Sequence, residues 1–158
     1  MIPNMRRQDR QVASFSEIID ILARCDTIRL GLNAGEQPYV VPLSFGMEAA
    51  EGAITLYFHG AKEGFKHELM AKNPKVCVEA DIFHGYRQTE RSVTTEYESF
   101  IGFGKAEPVF GEESAKGLDL LLTHCGFDGF AYGSGALDAV SVYKITLDEY
   151  TAKRRFLA

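Results

Sequence analysis

The middle of the chain carries groups suited to holding an anion and donating a proton. The stretch Ile54–Leu69, ITLYFHGAKEGFKHEL, passes from an apolar run to a segment with His59, Gly60, Lys62 and Lys66. The run predicts a strand, and the change of period after it predicts a helix start. Strand ends leave backbone groups unpaired, and helix starts supply free N–H groups and a positive dipole end. The pattern suits a phosphorylated aromatic cofactor, although surface lysines on a helix explain it better when it is taken alone.

No other motif indicates a catalytic or metal site. The segment GFGK at Gly102–Lys105 lacks the spacing of a phosphate-binding loop and lies within a strand pattern. The 4 histidines lack the paired spacing of metal ligands, and no nucleophile motif of the GxSxG type occurs. We therefore expect no metal, and His59 is the one candidate for proton transfer.

Length and composition indicate a soluble protein with one domain over residues 1–158. The net charge of −5 argues against a general nucleic-acid binder, and no apolar run approaches the roughly 20 residues of a membrane span. The N-terminal MIPNMRRQDRQ lacks the apolar core of a secretory signal. Isolated cysteines at 25, 77 and 125 fit reduced thiols. We expect a cytoplasmic protein.

The first half of the chain predicts a helix followed by three strands. The predicted segments are a helix around Ile18–Leu22 that ends near Arg24–Asp26, strands over Thr27–Leu32, Pro38–Gly46 and Ala53–Phe58, and a turn over Ala49–Gly52. Pro42 lies within the second strand. Because proline has no N–H to donate to a neighbouring strand, its position predicts an edge, a bulge or an opening of the sheet.

The second half predicts three more strands and two helices. The predicted segments are helices over Lys62–Lys72 and Gly111–Cys125, strands over Val76–Ile82, Glu96–Phe110 and Val140–Thr151, an exposed loop over Phe83–Thr95, a connection over Phe127–Asp138, and basic residues Lys153–Arg155 after the last strand. Hairpin-length links without βαβ alternation predict a mainly β fold: an antiparallel sheet that closes into a small barrel with peripheral helices.

Four stretches carry a resemblance to a known family. They are MRRQDR, CDTIRLGLNAGEQPYVVPLSFG, LYFHGAKEGFKHELMAKNPKVCVE and YESFIGFGKAE, with a closing KRR as weaker support. Together they cover most of residues 5–110 in order. The sequence resembles the flavin-binding split-barrel proteins related to pyridoxamine 5′-phosphate oxidase, and within them the nitroimidazole-resistance branch.

The resemblance implies a six-stranded Greek-key split barrel that works as a homodimer, with FMN at the subunit interface. The implied cofactor-binding residues are Pro42, Leu43, Ser44, Phe45, His59, Gly60, Lys62, Lys66, Tyr97 and Ser99. Lys66 would bind the phosphate, and His59 would lie beside the ring where a substrate stacks. Two features depart from the family: Phe65 stands where relatives often carry a second basic residue, and the 84–95 segment lacks the Cys- and Trp-containing pattern of the nitroimidazole-resistance branch.

Two functions remain open from the sequence. The first is an FMN-dependent oxidoreductase that passes electrons from a nicotinamide or other donor to a small planar acceptor, with a nitroaromatic compound as one candidate. The second is a non-catalytic module of the same fold that binds flavin or haem. Oxidation of pyridoxamine phosphate is less favoured, because the C-terminal substrate-binding segment expected of a true oxidase is not evident.

Overall fold

The frame of the molecule is an antiparallel sheet of eight strands with peripheral helices. The computed structural model describes residues 2–158, and Met1, the first residue of the predicted domain, lies outside the described residues. The strands are β1 (Gln11–Val12), β2 (Ile28–Ala34), β3 (Gln37–Leu43), β4 (Gly46–Ala50), β5 (Ala53–Gly60), β6 (Lys75–Gln88), β7 (Val93–Val109) and β8 (Ser141–Arg155). The α-helices are α1 (Phe15–Arg24), α2 (Phe65–Lys72), α3 (Gly111–His124) and α4 (Ser134–Asp138), and a 3₁₀ turn over Gln8–Arg10 precedes β1.

The long strand β8 organises the sheet. The strand order is β3-β2-β6-β7-β8-β5-β4, with β1 pairing beside the C-terminal half of β8. The first half of β8 lies between β5 and β7, and its second half lies between β1 and β7. The predicted mainly β, antiparallel fold is confirmed. The prediction of six strands in a closed barrel is wrong, because β1 and β4 are additional short strands and the end strands β3 and β4 do not pair.

The core lies on one face of the sheet, against α1 and α2. Its largest fully buried side chains include Ile21, Leu22, Leu30, Phe45, Phe58, Phe100 and Ile145. On the other face α3 packs on a small cluster of Tyr57, Val109 and Val142. A methyl group built on Gly117 of α3 would lie 2.7 Å from the Tyr57 ring. Glycine is therefore required for this close approach of the helix.

Of the three explanations predicted for Pro42, an edge, a bulge or an opening of the sheet, the structure shows the edge. Pro42 lies in β3, the first strand of the sheet order, and pairs with Arg29 of β2. No strand lies on the other side of β3 in the described part of the chain. Edge strands are where a sheet tolerates a residue without an N–H.

The exposed loop predicted over Phe83–Thr95 is wrong. In the structure β6 runs to Gln88 and β7 begins at Val93, so the segment is a hairpin with a short turn. A bulge shifts the register between Phe83 and Gly85, and both faces beyond it are largely exposed. Because a bulge breaks the period of two and exposure removes the apolar alternation, the sequence shows no strand pattern here.

Several predicted boundaries also change. The second strand ends at Leu43 rather than Gly46, and the predicted turn over Ala49–Gly52 begins later, because β4 extends to Ala50. Helix α2 begins at Phe65 rather than Lys62. The closing Lys153–Arg155 belongs to β8. No helix within residues 2–158 combines the length and hydropathy needed to cross a membrane.

Candidate functional site

The end of β5 and the start of α2 form the centre of the candidate site. His59 and Gly60 are the last two residues of β5, and Gly64 precedes the first turn of α2. Gly64 has a φ of 147°, which glycine adopts far more readily than other residues, and the chain turns there into the helix. The N–H groups of Phe65 and Lys66 have no acceptor within α2, so they are available to an anion.

Lys66 folds back over Gly60. A methyl group built on Gly60 would lie 3.0 Å from both Cε and Nζ of Lys66 and 3.4 Å from Cε1 of His67. The absent side chain is what lets the ammonium group reach the strand end. In residues 2–158 the lysine ion pairs are made by Lys116 and Lys144, so Lys66 has no carboxylate partner. We call this arrangement of Gly60, Lys66 and the start of α2 the β5–α2 cradle.

His67 lies beneath the cradle and is only 8% exposed. Its Nδ1 is 2.9 Å from the hydroxyl of Tyr143 on β8, and its Nε2 is buried without a hydrogen-bond partner in the described residues. Burial, assisted by the nearby Lys66 charge, lowers the pKa of the imidazole, and the backbone of Ala61 opposes this shift weakly. This shift favours the neutral form of His67. Sequence reasoning assigned it no role.

His59 lies on the opposite face of β5 from the cradle. Side chains alternate along a strand, and His59 shares its face with Tyr57, which packs beneath α3. His59 is exposed and pairs with Val142, which lines a cavity of about 470 Å³. Other lining residues are Lys62, Phe110, Ser114, Leu137, Val140 and Ser141. The structure thus places Lys62 in the wall of a cavity beside His59.

The predicted residues at the end of β3 divide by burial. Pro42 and Ser44 are exposed, Leu43 is half-buried, and the Phe45 side chain lies in the core with its ring 4.1 Å from that of His124. This segment therefore presents its backbone and the side chains of Pro42 and Ser44 to the surface, while the buried Phe45 ring anchors it to the core. Elsewhere on β3, Tyr39 packs edge-on against Phe65 at 5.0 Å between ring centroids, so β3 lies beside the start of α2.

Tyr97 and Ser99 lie far from the cradle within one chain. Tyr97 pairs with Arg155 at the end of β8, whereas His59 pairs with Val142 near its start. These β8 positions are 13 residues apart, which corresponds to about 40 Å of strand path. The predicted site residues therefore form two groups, at opposite ends of β8.

The basic end of β8 presents charge on both faces. Arg155 and Lys153 pair with Tyr97 and Ser99 and share their face of the sheet. The Nε atom of Arg155 is buried and has no hydrogen-bond partner in residues 2–158. Arg154 lies on the other face and bonds to Glu98. Within the closing KRR, Arg154 therefore forms an ion pair inside the chain. The Nε atom of Arg155 has no partner in the described residues.

Glu98 is the centre of a buried ionic network that the sequence did not reveal. The residue is 2% exposed, and its carboxylate accepts two hydrogen bonds from Arg24, at 2.7 and 2.9 Å, and one from Arg154 at 3.0 Å. His84 Nε2 lies 2.9 Å from the same carboxylate. Hydrogen bonding from Arg24 lowers the pKa of Glu98 to about 2. The network joins α1, β6, β7 and β8 at the end of the sheet that carries Tyr97.

Comparison with known proteins agrees with the predicted resemblance. A family model described as pyridoxamine 5′-phosphate oxidase matches residues 14–154. A provisionally assigned 5-nitroimidazole antibiotic resistance protein from Bacteroides thetaiotaomicron is 31% identical, with a TM-score of 0.81 over 90% of this chain and 85% of that one. No curated protein matches the chain.

More distant structures share the fold. A flavocytochrome from Azotobacter vinelandii is 17% identical, with a TM-score of 0.75 over 98% of this chain and 73% of that one. An FAD- and haem-binding protein from Mycobacterium smegmatis is 18% identical, with a TM-score of 0.73 over 92% of this chain and 73% of that one. With the family model spanning nearly the whole chain, these matches show that the chain belongs to the pyridoxamine 5′-phosphate oxidase family.

Proposed function

We propose that the chain is an FMN-dependent oxidoreductase that passes electrons from a nicotinamide or other donor to a small planar acceptor, such as a nitroaromatic compound. The β5–α2 cradle carries this proposal. An unpaired ammonium group, free N–H groups and a strand end without a side chain fit a phosphate monoester. FMN, when bound, supplies the electron-carrying chemistry, and the chain's residues bind and orient it.

The relatives support the type of cofactor and acceptor. The Bacteroides protein is assigned to resistance against nitroimidazoles, which are small planar nitroaromatic compounds. The Azotobacter and Mycobacterium proteins are described as a flavocytochrome and as binding FAD and haem. Flavin is common to both descriptions, and haem is the alternative cofactor.

A homodimer with FMN at the subunit interface accounts for the divided site. Within one chain the cradle and Tyr97 lie at opposite ends of β8. A two-fold axis would bring the start of β8 in one copy beside the end of β8 in the other. The exposed apolar residues Phe83, Ile101 and Phe103 on β6 and β7 are suited to such an interface.

The absorption spectrum of the purified protein tests the cofactor. We expect flavin bands after reconstitution with FMN, and bleaching when a nicotinamide donor is added. Flavin bands without bleaching by any donor, or a Soret band, would favour the non-catalytic module.

Sedimentation should show a dimer when FMN is bound, and a monomer that binds FMN tightly would contradict the interface site.

His59 is proposed to donate a proton to the acceptor or to position it, because its exposed imidazole lies beside the cavity. We expect His59→Ala to lower kcat/KM for the acceptor by about 100-fold, the lower end of the usual effect of general acid catalysis. FMN affinity should fall much less than turnover, because His59 lies on the face of β5 away from Lys66 and makes no contact with the proposed phosphate site. Steady-state kinetics measure kcat/KM for the acceptor, and an FMN titration measures the affinity for the cofactor. Full turnover in the His59→Ala variant would show that His59 does not have this role.

We also propose that the protein works in the cytoplasm. Cys25, Cys77 and Cys125 are free thiols in the structure. Free thiols persist most readily where glutathione and thioredoxin keep cysteines reduced.

A further inference from the structure

His67 is an unassigned buried polar residue in the first turn of α2. It is 8% exposed, and its Nε2 has no hydrogen-bond partner in the described residues. Cε1, which is bonded to Nε2, lies 3.4 Å from the position that a methyl group on Gly60 would take. The open edge of the imidazole therefore faces the same strand end as the Lys66 ammonium group. A buried polar atom without a partner costs free energy unless a ligand completes it.

The hydroxyl of Tyr143 determines which ring nitrogen carries the proton. If the Tyr143 O–H donates to Nδ1, the hydroxyl is satisfied and Nε2–H is the single unpaired group. If Nδ1–H donates instead, the Nε2 lone pair is buried without a partner, and the tyrosine O–H has no acceptor among the described residues. The first arrangement leaves fewer unsatisfied groups and is therefore favoured. His67 then presents a buried N–H donor at the β5–α2 cradle.

The surroundings of His67 suit an oxyanion. Lys66 supplies a positive charge beside the ring, and the start of α2 adds free N–H groups and the positive end of the helix dipole. The backbone of Ala61 lies close enough to accept weakly from the ring, which favours an N–H on the imidazole and opposes the lowering of its pKa. Nε2 still has no partner within hydrogen-bond geometry among the described residues, so a stronger acceptor such as a phosphate oxygen could complete it. A neutral donor complements the ammonium group without adding a second buried charge, which would be costly to desolvate.

We propose that Nε2–H of His67 is a phosphate-binding donor of the cradle, held in the correct tautomer by Tyr143. The inference rests on the proposed function, since it names a further residue for the phosphate of the same cofactor. It also compensates for Phe65, which stands where a second basic residue is expected. In this chain the second polar contact to the phosphate comes from His67, on the buried side of α2.

The test compares flavins with and without a phosphate. Fluorescence titration should show that His67→Phe, which keeps the buried ring, weakens FMN binding about 10-fold and leaves riboflavin binding unchanged. His67→Gln, which keeps an N–H donor, should recover part of the loss. Tyr143→Phe should weaken FMN binding less than His67→Phe, because the donor remains but its tautomer is no longer held.

Imidazole ¹⁵N NMR of the unmodified full chain gives a readout that depends on no variant. We expect His67 to be protonated at Nε2, and that resonance to shift when inorganic phosphate is added. Equal losses for FMN and riboflavin in His67→Phe would overturn the inference, and so would an Nδ1-protonated ring whose resonance does not respond to phosphate. Neither result would contradict the proposed function. If neither flavin binds but the resonance responds to phosphate, the proposed function fails and this inference stands.

Discussion

Replacing Lys66 with glutamine should weaken FMN binding about 100-fold and leave riboflavin binding nearly unchanged. The ammonium group is half-buried, lies at the strand end beside Gly60 and has no carboxylate partner among the described residues. Hydrogen bonds to charged groups contribute about 1.5–3 kcal/mol, and the upper value corresponds to roughly 100-fold in affinity. Fluorescence titration at fixed ionic strength measures both flavins, since added salt screens exposed charges.

Lys72→Gln is the matched control for this experiment. Lys72 ends the same helix and is exposed, so its substitution changes the net charge equally without touching the cradle. We expect its effect on FMN affinity to be within about 2-fold, as is usual for surface charges. Equal losses in the two variants would show that total charge, and not the cradle, controls affinity. If riboflavin loses as much affinity as FMN, Lys66 contacts the flavin ring rather than the phosphate.

Glu98→Gln should destabilise the fold by about 3 kcal/mol, the lower end of the usual cost of breaking a buried ion pair, because Arg24 and Arg154 are 41% and 31% exposed. The side chain keeps its size, but Arg24 and Arg154 lose the carboxylate that accepts their hydrogen bonds. An amide N–H₂ group would also face these donors. Urea denaturation followed by circular dichroism, at one protein concentration, measures the free energy of unfolding.

Asp20→Asn provides the control for Glu98→Gln. Asp20 bonds to the same Arg24 at 3.0 Å, but its side chain is 62% exposed. Exposed ion pairs contribute about 0–1 kcal/mol, so this variant should unfold at nearly the wild-type urea concentration. If the two variants lose the same stability, burial of Glu98 is not what makes its ion pairs important.

The pH dependence of stability should report the same network. Because the arginines lower the pKa of Glu98 to about 2 in the folded state, the carboxylate stabilises the fold above the ordinary glutamate pKa. This contribution is lost as the pH falls from about 4.5 to about 2. Over that window the wild type should lose roughly 3 kcal/mol more than Glu98→Gln. If the free energy of unfolding changes equally with pH in the wild type and in Glu98→Gln, the Glu98 carboxylate is not the source of this pH dependence.

The local elements of the fold were largely predictable from the sequence. Alternation in β2 and the apolar face of α1 follow from the periods of their own residues, and the edge position of β3 is one of the three explanations that Pro42 predicted. The hairpin of β6 and β7 was not predictable. Its bulge at Phe83/Gly85 breaks the period of two, and its exposed faces carry no apolar alternation.

The candidate site shows the same division. Gly60 and Lys66 could be placed together from the sequence because a strand end and a helix start are separated there by only a few residues. The roles of His67 and Glu98 could not, because their partners lie 76 residues away at Tyr143 and 74 residues away at Arg24. Such pairs depend on which strands and helices pack together, and the local sequence pattern does not predict this packing.

Resemblance to known sequences was sufficient to identify the family, and short-range patterns were sufficient to predict the mainly β class. They also placed Gly60 and Lys66 near each other, although the local pattern alone favoured surface lysines on a helix. The cradle's buried donor at His67 and the Glu98 network emerge only in the folded chain. The same holds for the separation of His59 from Tyr97 along β8, about 40 Å of strand path. Burial and partner choice are set by the packing of distant segments, and the pairing of β8 with β5, β7 and β1 fixes which residues meet.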